Sequence, residues 1–257
     1  MFESEGSART NRQNRKLTAT LATVAGYVNS SGFVLIGSFT SHVTGNVGRF
    51  ANDLALGNGP AALSAAMVAS SFFAGAFLSS MAIESHPLGV PTRTYAGLLL
   101  VEAGILAAFL LLFGTLAPVD AGGHVVLAML LCLAMGLQNS LVTRLSGAVV
   151  RTTHLTGAVT DLGIEAARWF RHWRFAAEEQ LKMNLTVGDD RGEPPSHARA
   201  SLLIMLILAF IAGSSLGAAG AVHLGPLAAV VPITALLAMA IWALLTPSAG
   251  EEPATKA

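Results

Sequence analysis

Residues 40–45 read Thr-Ser-His-Val-Thr-Gly, and residues 152–157 read Thr-Thr-His-Leu-Thr-Gly. Four of the six positions are identical, the other two exchange Ser for Thr and Val for Leu, and the offset is 112. Upstream, Gly26-Tyr-Val-Asn-Ser30 matches Gly136-Leu-Gln-Asn-Ser140 at offset 110; downstream, Asp53 falls on Glu165 at offset 112. A two-residue insertion reconciles the offsets. The chain therefore carries an internal repeat, and its fold has to be read as two related halves.

What surrounds the motifs decides the class of fold. The 257 residues are 53% hydrophobic and 12% charged. A soluble domain is about 25% charged, so this chain has too little polar surface to cover a soluble globule. Six apolar stretches approach the roughly 20 residues that a helix needs to cross a bilayer. They are 17–37, 61–83, 95–117, 125–141, 201–222 and 226–245. The fourth is the shortest and ends in Gln138, Asn139 and Ser140. The runs are continuously apolar rather than alternating, which argues for helices over a β-barrel. The basic N-terminal flank imitates a secretion signal, but the apolar run after it is too long and lacks a small-residue cleavage site. It reads as an anchor.

With six spans, both termini share one side. Fourteen of the fifteen Lys and Arg residues then fall on that side, and only Arg49 lies on the other. The positive-inside rule makes that side cytoplasmic. Three spans separate the two His motifs, and three is odd, so the halves run in opposite directions through the membrane. The expected fold is all-α: a polytopic membrane protein of six transmembrane helices in two inverted three-helix repeats. The expected boundaries are a disordered tail at 1–16 and a membrane domain at 17–246. Within it lie repeat one at 17–118, repeat two at 125–246 and a cytoplasmic segment at about 143–200. A second disordered tail follows at 247–257. Within the cytoplasmic segment, 148–170 suggests an amphipathic or re-entrant helix. Residues 168–175, Arg-Trp-Phe-Arg-His-Trp-Arg-Phe, suggest contact with lipid headgroups, and 188–197 a solvated loop.

The motifs resemble those of a known family. Gly26-Tyr-Val-Asn29, Gly32-Phe33 and Ser41-His-Val-Thr-Gly-Asn46 look like the opening signature of the bacterial YoaK-type membrane proteins, a family named as a domain of unknown function. Ala134-Met-Gly-Leu-Gln-Asn139 and Arg151-Thr-Thr-His-Leu-Thr-Gly157, with Thr160-Asp-Leu-Gly163, resemble its second signature. The likeness runs from about Ala19 to Leu245. In that family the first signature usually has Asp where this chain has Asn29. The resemblance implies a multi-pass protein of the bacterial inner membrane, and it supplies no substrate.

Function must then be read from the residues. His42 and His154 sit between hydroxyl residues and a Thr-Gly pair. Thr44, Gly45 and Asn46 in one half and Thr156 and Gly157 in the other complete the set. Gly45 and Gly157 would permit a backbone bend or close helix approach. Such segments suit a broken helix that shows backbone groups and a titratable ring to a ligand. They suit packing of the two halves on each other equally well. Asn29, Gln138 and Asn139 are amides inside spans, where polar groups either join helices or line a path. Glu102, about eight residues into the third span, is a candidate for proton coupling. Arg49 and Asp161 are equivalent at offset 112 with opposite charge, which suggests pairing or gating, or simply two aqueous vestibules.

The sequence has no phosphate-binding glycine loop, no nucleophile elbow and no zinc motif. Its one cysteine, Cys132, lies in an apolar run. No enzyme activity, cofactor, metal or nucleic-acid partner is expected. The expected partners are the lipid bilayer and an unknown small-molecule substrate. The reading is a secondary transporter working by alternating access at the interface of the two repeats. The rivals are a membrane scaffold acting through its basic segment, and an intramembrane enzyme acting on lipid.

Overall fold

The computed structural model describes residues 9–85, 91–117, 121–147, 151–179 and 196–245, and every regular element among them is helical. In chain order they are α1 Asn11–Ile36, α2 Val43–Ala55, α3 Gly59–Glu84, α4 Pro91–Leu116, α5 Ala121–Leu145, α6 Leu155–Glu179, α7 His197–Leu224 and α8 Val230–Leu245. A 3-10 turn, Gly225–Ala229, joins α7 to α8.

Five helical stretches are long and apolar enough to cross a membrane: Arg12–Ile36, Gly59–Glu84, Thr92–Leu116, Gly122–Leu145 and His197–Leu245. The chain is a multi-pass, membrane-type helical protein. The six stretches expected from hydropathy thus become five, because the last two merge into one apolar run of 49 residues. What divides that run is backbone geometry. Gly225 has φ +58°, and Pro226 follows it. The turn Gly-Pro-Leu-Ala-Ala is itself apolar, so hydropathy alone cannot mark it as a boundary.

Two other expectations shift. α1 begins at Asn11, inside the stretch read as a disordered tail. Thr10 caps it: its hydroxyl accepts from the Gln13 N–H at 3.3 Å, and Gln13 Oε1 accepts from the Thr10 N–H at 2.9 Å. This reciprocal pair satisfies two donors that a helix start leaves free, and it carries the helix past the Arg12, Arg15 and Lys16 charges. In the fourth stretch, the helix continues through Gln138, Asn139 and Ser140 to Leu145. The segments 188–195 and 247–257, and most of the first tail, lie outside the described residues.

Helix neighbours cross between the two halves of the sequence. α1 packs mainly on α7, and α5 mainly on α3. α4 packs on α8 and α5, α2 on α3, and α6 on α7. Without a hydrophobic force between helices in lipid, such pairs rely on close van der Waals approach through small residues. Glycines provide it. A methyl at Gly26 would strike the Phe210 carbonyl of α7, and one at Gly213 the Thr23 carbonyl of α1. In the other pair, a methyl at Gly136 would strike the Phe72 carbonyl of α3, and one at Gly75 the Leu133 carbonyl of α5. α5 is the most enclosed of the spans, and α3 shows most of its surface outward, including Phe73 and Phe77.

Candidate functional site

The two His motifs lie at short turns, residues 40–41 and 152–153, that fold back along the helices preceding them and lead into α2 and α6. Gly37, with φ +69°, ends α1 and reverses the chain. Ser41 then lies beside Asn29: its N–H donates to Asn29 Oδ1 at 3.1 Å and its hydroxyl donates to the same atom at 2.9 Å. Asn29 is seven residues before the end of α1, which is about 10 Å at the helical rise. In the second half, the Thr153 hydroxyl donates to Asn139 Oδ1 at 3.0 Å, six residues before the end of α5. Each amide thus ties down the hydroxyl residue that precedes a His. Both motifs return into the bundle rather than continuing outward.

The His residues come next. His42 and His154 stand immediately before α2 and α6, and their carbonyls accept the first helical bonds, from Asn46 N and Ala158 N. Their rings fold back over the first helical turn. A methyl at Gly45 would strike the His42 ring, and one at Gly157 the His154 ring. These glycines therefore supply ring seats inside regular helix. They are not bends, although the sequence alone left that possibility open.

The two segments meet. One cavity of about 600 Å³ is lined by Ser41, His42 and Thr44 from the first half and by Asn139, Thr153, His154 and Thr156 from the second. That volume lies within the usual range for small-molecule sites. α3 supplies Phe72, Ala76 and Ser80 at four-residue spacing, one face of a helix. α5 adds Ser140, Thr143 and Arg144, and Arg151 completes the rim. Ser80 and Ser140 hydrogen-bond across the α3–α5 seam at 2.8 Å. Arg144 forms an ion pair with Glu84 at the end of α3.

A family model described as "Protein of unknown function (DUF1275)" matches residues 17–242. The chain belongs to this family. The matched DUF1275 region holds both motifs, all the cavity residues and all five spanning stretches except their extreme ends. No curated protein and no solved structure matches the chain.

The remaining candidate residues are placed as follows. Asn46 is buried in α2, and Arg49 is exposed on the same helix. Gln138 is fully buried, away from the cavity, and neither of its amide atoms has a hydrogen-bond partner among the described residues. Glu102 is fully buried on the stripe Tyr95, Leu99, Glu102, Leu106 and Phe109 of α4, and both its carboxyl oxygens also lack a partner there. Asp161 binds Arg199 at 3.2 Å, so its charge is answered by α7 and not by Arg49. No group of three metal-ligating side chains occurs among the described residues.

Sequence reading missed two features. Arg144 entered it only through the charge bias, and Arg151 only through that bias and as the first residue of the second signature, although it stands three residues before His154. Glu165 is buried, accepts from the Ser196 N–H at 3.1 Å and from Arg168 at 3.0 Å, and so fastens α6 to the start of α7. Its alignment with Asp53 was the available signal.

Proposed function

We propose that this protein is a non-enzymatic secondary transporter of a small molecule, working by alternating access around the cavity between two inverted repeats. The observation that carries the reading is that both His motifs, 112 residues apart, line one cavity. The packing supports an inverted duplication. Exchanging the halves turns the α1–α7 pair into the α5–α3 pair, and the Gly26–Phe210 and Gly213–Thr23 approaches into Gly136–Phe72 and Gly75–Leu133. In this reading α7 and α8 are separate fifth and sixth spans, α2 and the start of α6 are re-entrant half-helices, and the bilayer is the solvent. α8, at 16 residues, is about 24 Å long, short enough to need a thinned or tilted setting.

The charge distribution supports a bacterial inner-membrane location with both termini in the cytoplasm. The cavity rim at Arg144 and Arg151 then faces the cytoplasm, so this conformation is the inward-facing one. Among the coupling candidates, Glu102 is favoured over Asp161, because Asp161 is already paired with Arg199. A fully buried carboxyl without a hydrogen-bond partner is costly in its ionised form, and proton exchange at such a site can drive a conformational change.

The test is a thermal-shift screen of the purified protein against a broad metabolite library, with His42→Ala and His154→Ala as separate controls. A ligand that binds only the folded state raises the melting temperature. The transporter reading expects a compound whose effect is lost in either variant. If one half's His can be removed without effect on every hit, the shared site is refuted.

A further inference from the structure

Resting on the reading of the cavity as a substrate site, we infer that its ligand is a small oxyanion, a molecule bearing a carboxylate, phosphate or sulfate group. The titratable side chains that line the cavity are Arg144, Arg151, His42 and His154, and no Asp or Glu lines it. Glu84 answers Arg144 from outside the lining. The Arg151 side chain makes no hydrogen bond or ion pair among the described residues, and it is exposed at the rim. An unanswered guanidinium offers a planar fork of donors that matches a carboxylate or phosphate in two places at once.

The backbone adds to the same sign. α2 and α6 both begin at this cavity, with Thr44 and Thr156 in its wall. The first N–H groups of a helix have no partner within it. The residue at the start of α2, His42, gives no side-chain cap. Each helix start presents roughly half a positive charge, and two of them converge here from opposite halves of the chain. The hydroxyls of Thr44 and Thr156 supply further donors. A cation would meet positive potential with no carboxylate to receive it. A neutral ligand would leave the arginine fork and the two helix starts unsatisfied. An oxyanion answers all of them.

The experiment uses the full-length protein in detergent. Its melting temperature is titrated with sodium phosphate, sulfate, acetate, succinate and citrate, at constant ionic strength. Choline chloride, spermidine chloride, glucose and glycerol serve as charged and neutral comparisons. The expected result is saturable stabilisation by at least one oxyanion. Arg151→Gln should weaken its Kd roughly tenfold or more, the scale of one lost charge-assisted hydrogen bond. Arg151→Lys should weaken it less, and Arg171→Gln on the distal part of α6 should leave it unchanged. Because Arg151 is exposed, the glutamine variant folds, and its own melting temperature without ligand verifies this. Equal stabilisation of the wild type and Arg151→Gln overturns the assignment. Saturable, His42-dependent and His154-dependent stabilisation by choline, spermidine, glucose or glycerol, with no oxyanion active, overturns the anion inference and leaves the transport reading standing. No saturable effect from any compound overturns both.

Discussion

Replacing Asn29 by leucine removes the acceptor of both hydrogen bonds that tie Ser41, in the first His segment, to α1. Asn29 Oδ1 accepts two hydrogen bonds from Ser41, one from its backbone N–H and one from its hydroxyl. Each is worth about 0.6–1.5 kcal/mol in a membrane protein, so the pair holds the segment by about 1–3 kcal/mol. Local opening should become roughly 5- to 150-fold more frequent. Amide hydrogen exchange read by mass spectrometry on peptides covering residues 38–46 measures this directly, because the Ser41 amide has no other acceptor among the described residues. Asn29→Asp should behave as wild type. Both bonds run into an acceptor, and a carboxylate oxygen accepts as the amide oxygen does. Asn139→Leu should have a smaller effect on its own segment, because only a hydroxyl bond is lost there. Unchanged exchange in Asn29→Leu, or equal acceleration in Asn29→Asp, would refute the tether.

Three further outcomes are expected. Gly26→Ala and Gly136→Ala each press a methyl against a backbone carbonyl that cannot rotate away, costing about 1–3 kcal/mol and several degrees of melting temperature. Gly104→Ala, in α4 with open space around it, should instead gain up to about 1 kcal/mol from helix propensity; equal losses at all three sites would discredit the seams. Glu165→Ala should lower the melting temperature by an amount equivalent to about 1.5–3 kcal/mol, since a buried carboxylate holding charged and backbone donors is removed. Glu102→Gln should preserve ligand stabilisation but abolish proton-driven uptake in liposomes under an imposed pH gradient; retained uptake would remove Glu102 from the coupling role.

The apolar spans could be read from the sequence because each needs about 20 residues of one character, and runs of that length stand out against the few charges. The break at Gly225 could not, since nothing polar marks it. The start of α1 was present as Thr10-x-x-Gln13 but hidden by the arginines around it. The repeat named His42 and His154 as equivalent. It could not say that the rings sit on Gly45 and Gly157, or that the two segments meet, because that depends on which helices pair. Gly26, Gly75, Gly136 and Gly213 mark close approaches, but a glycine does not name its partner. The partners lie in the other half of the chain, and only three-dimensional packing reveals them. Arg151 illustrates the same limit: its charge is plain in the sequence, while its place at the cavity follows from the return of the segment beside Asn139.

The exchanged pairing also sets an order of events during synthesis. Ile36, the last residue of α1, and His197, the first of α7, are 161 residues apart along the chain. At about 5–20 residues per second, α1 leaves the ribosome roughly 10–30 s before the helix that covers its glycine seam exists. α5 has no such delay, because α3 precedes it. Among the described helices, α1 therefore waits longest for its main partner. Until α7 arrives, lipid or the insertion machinery must shelter the Gly26 face.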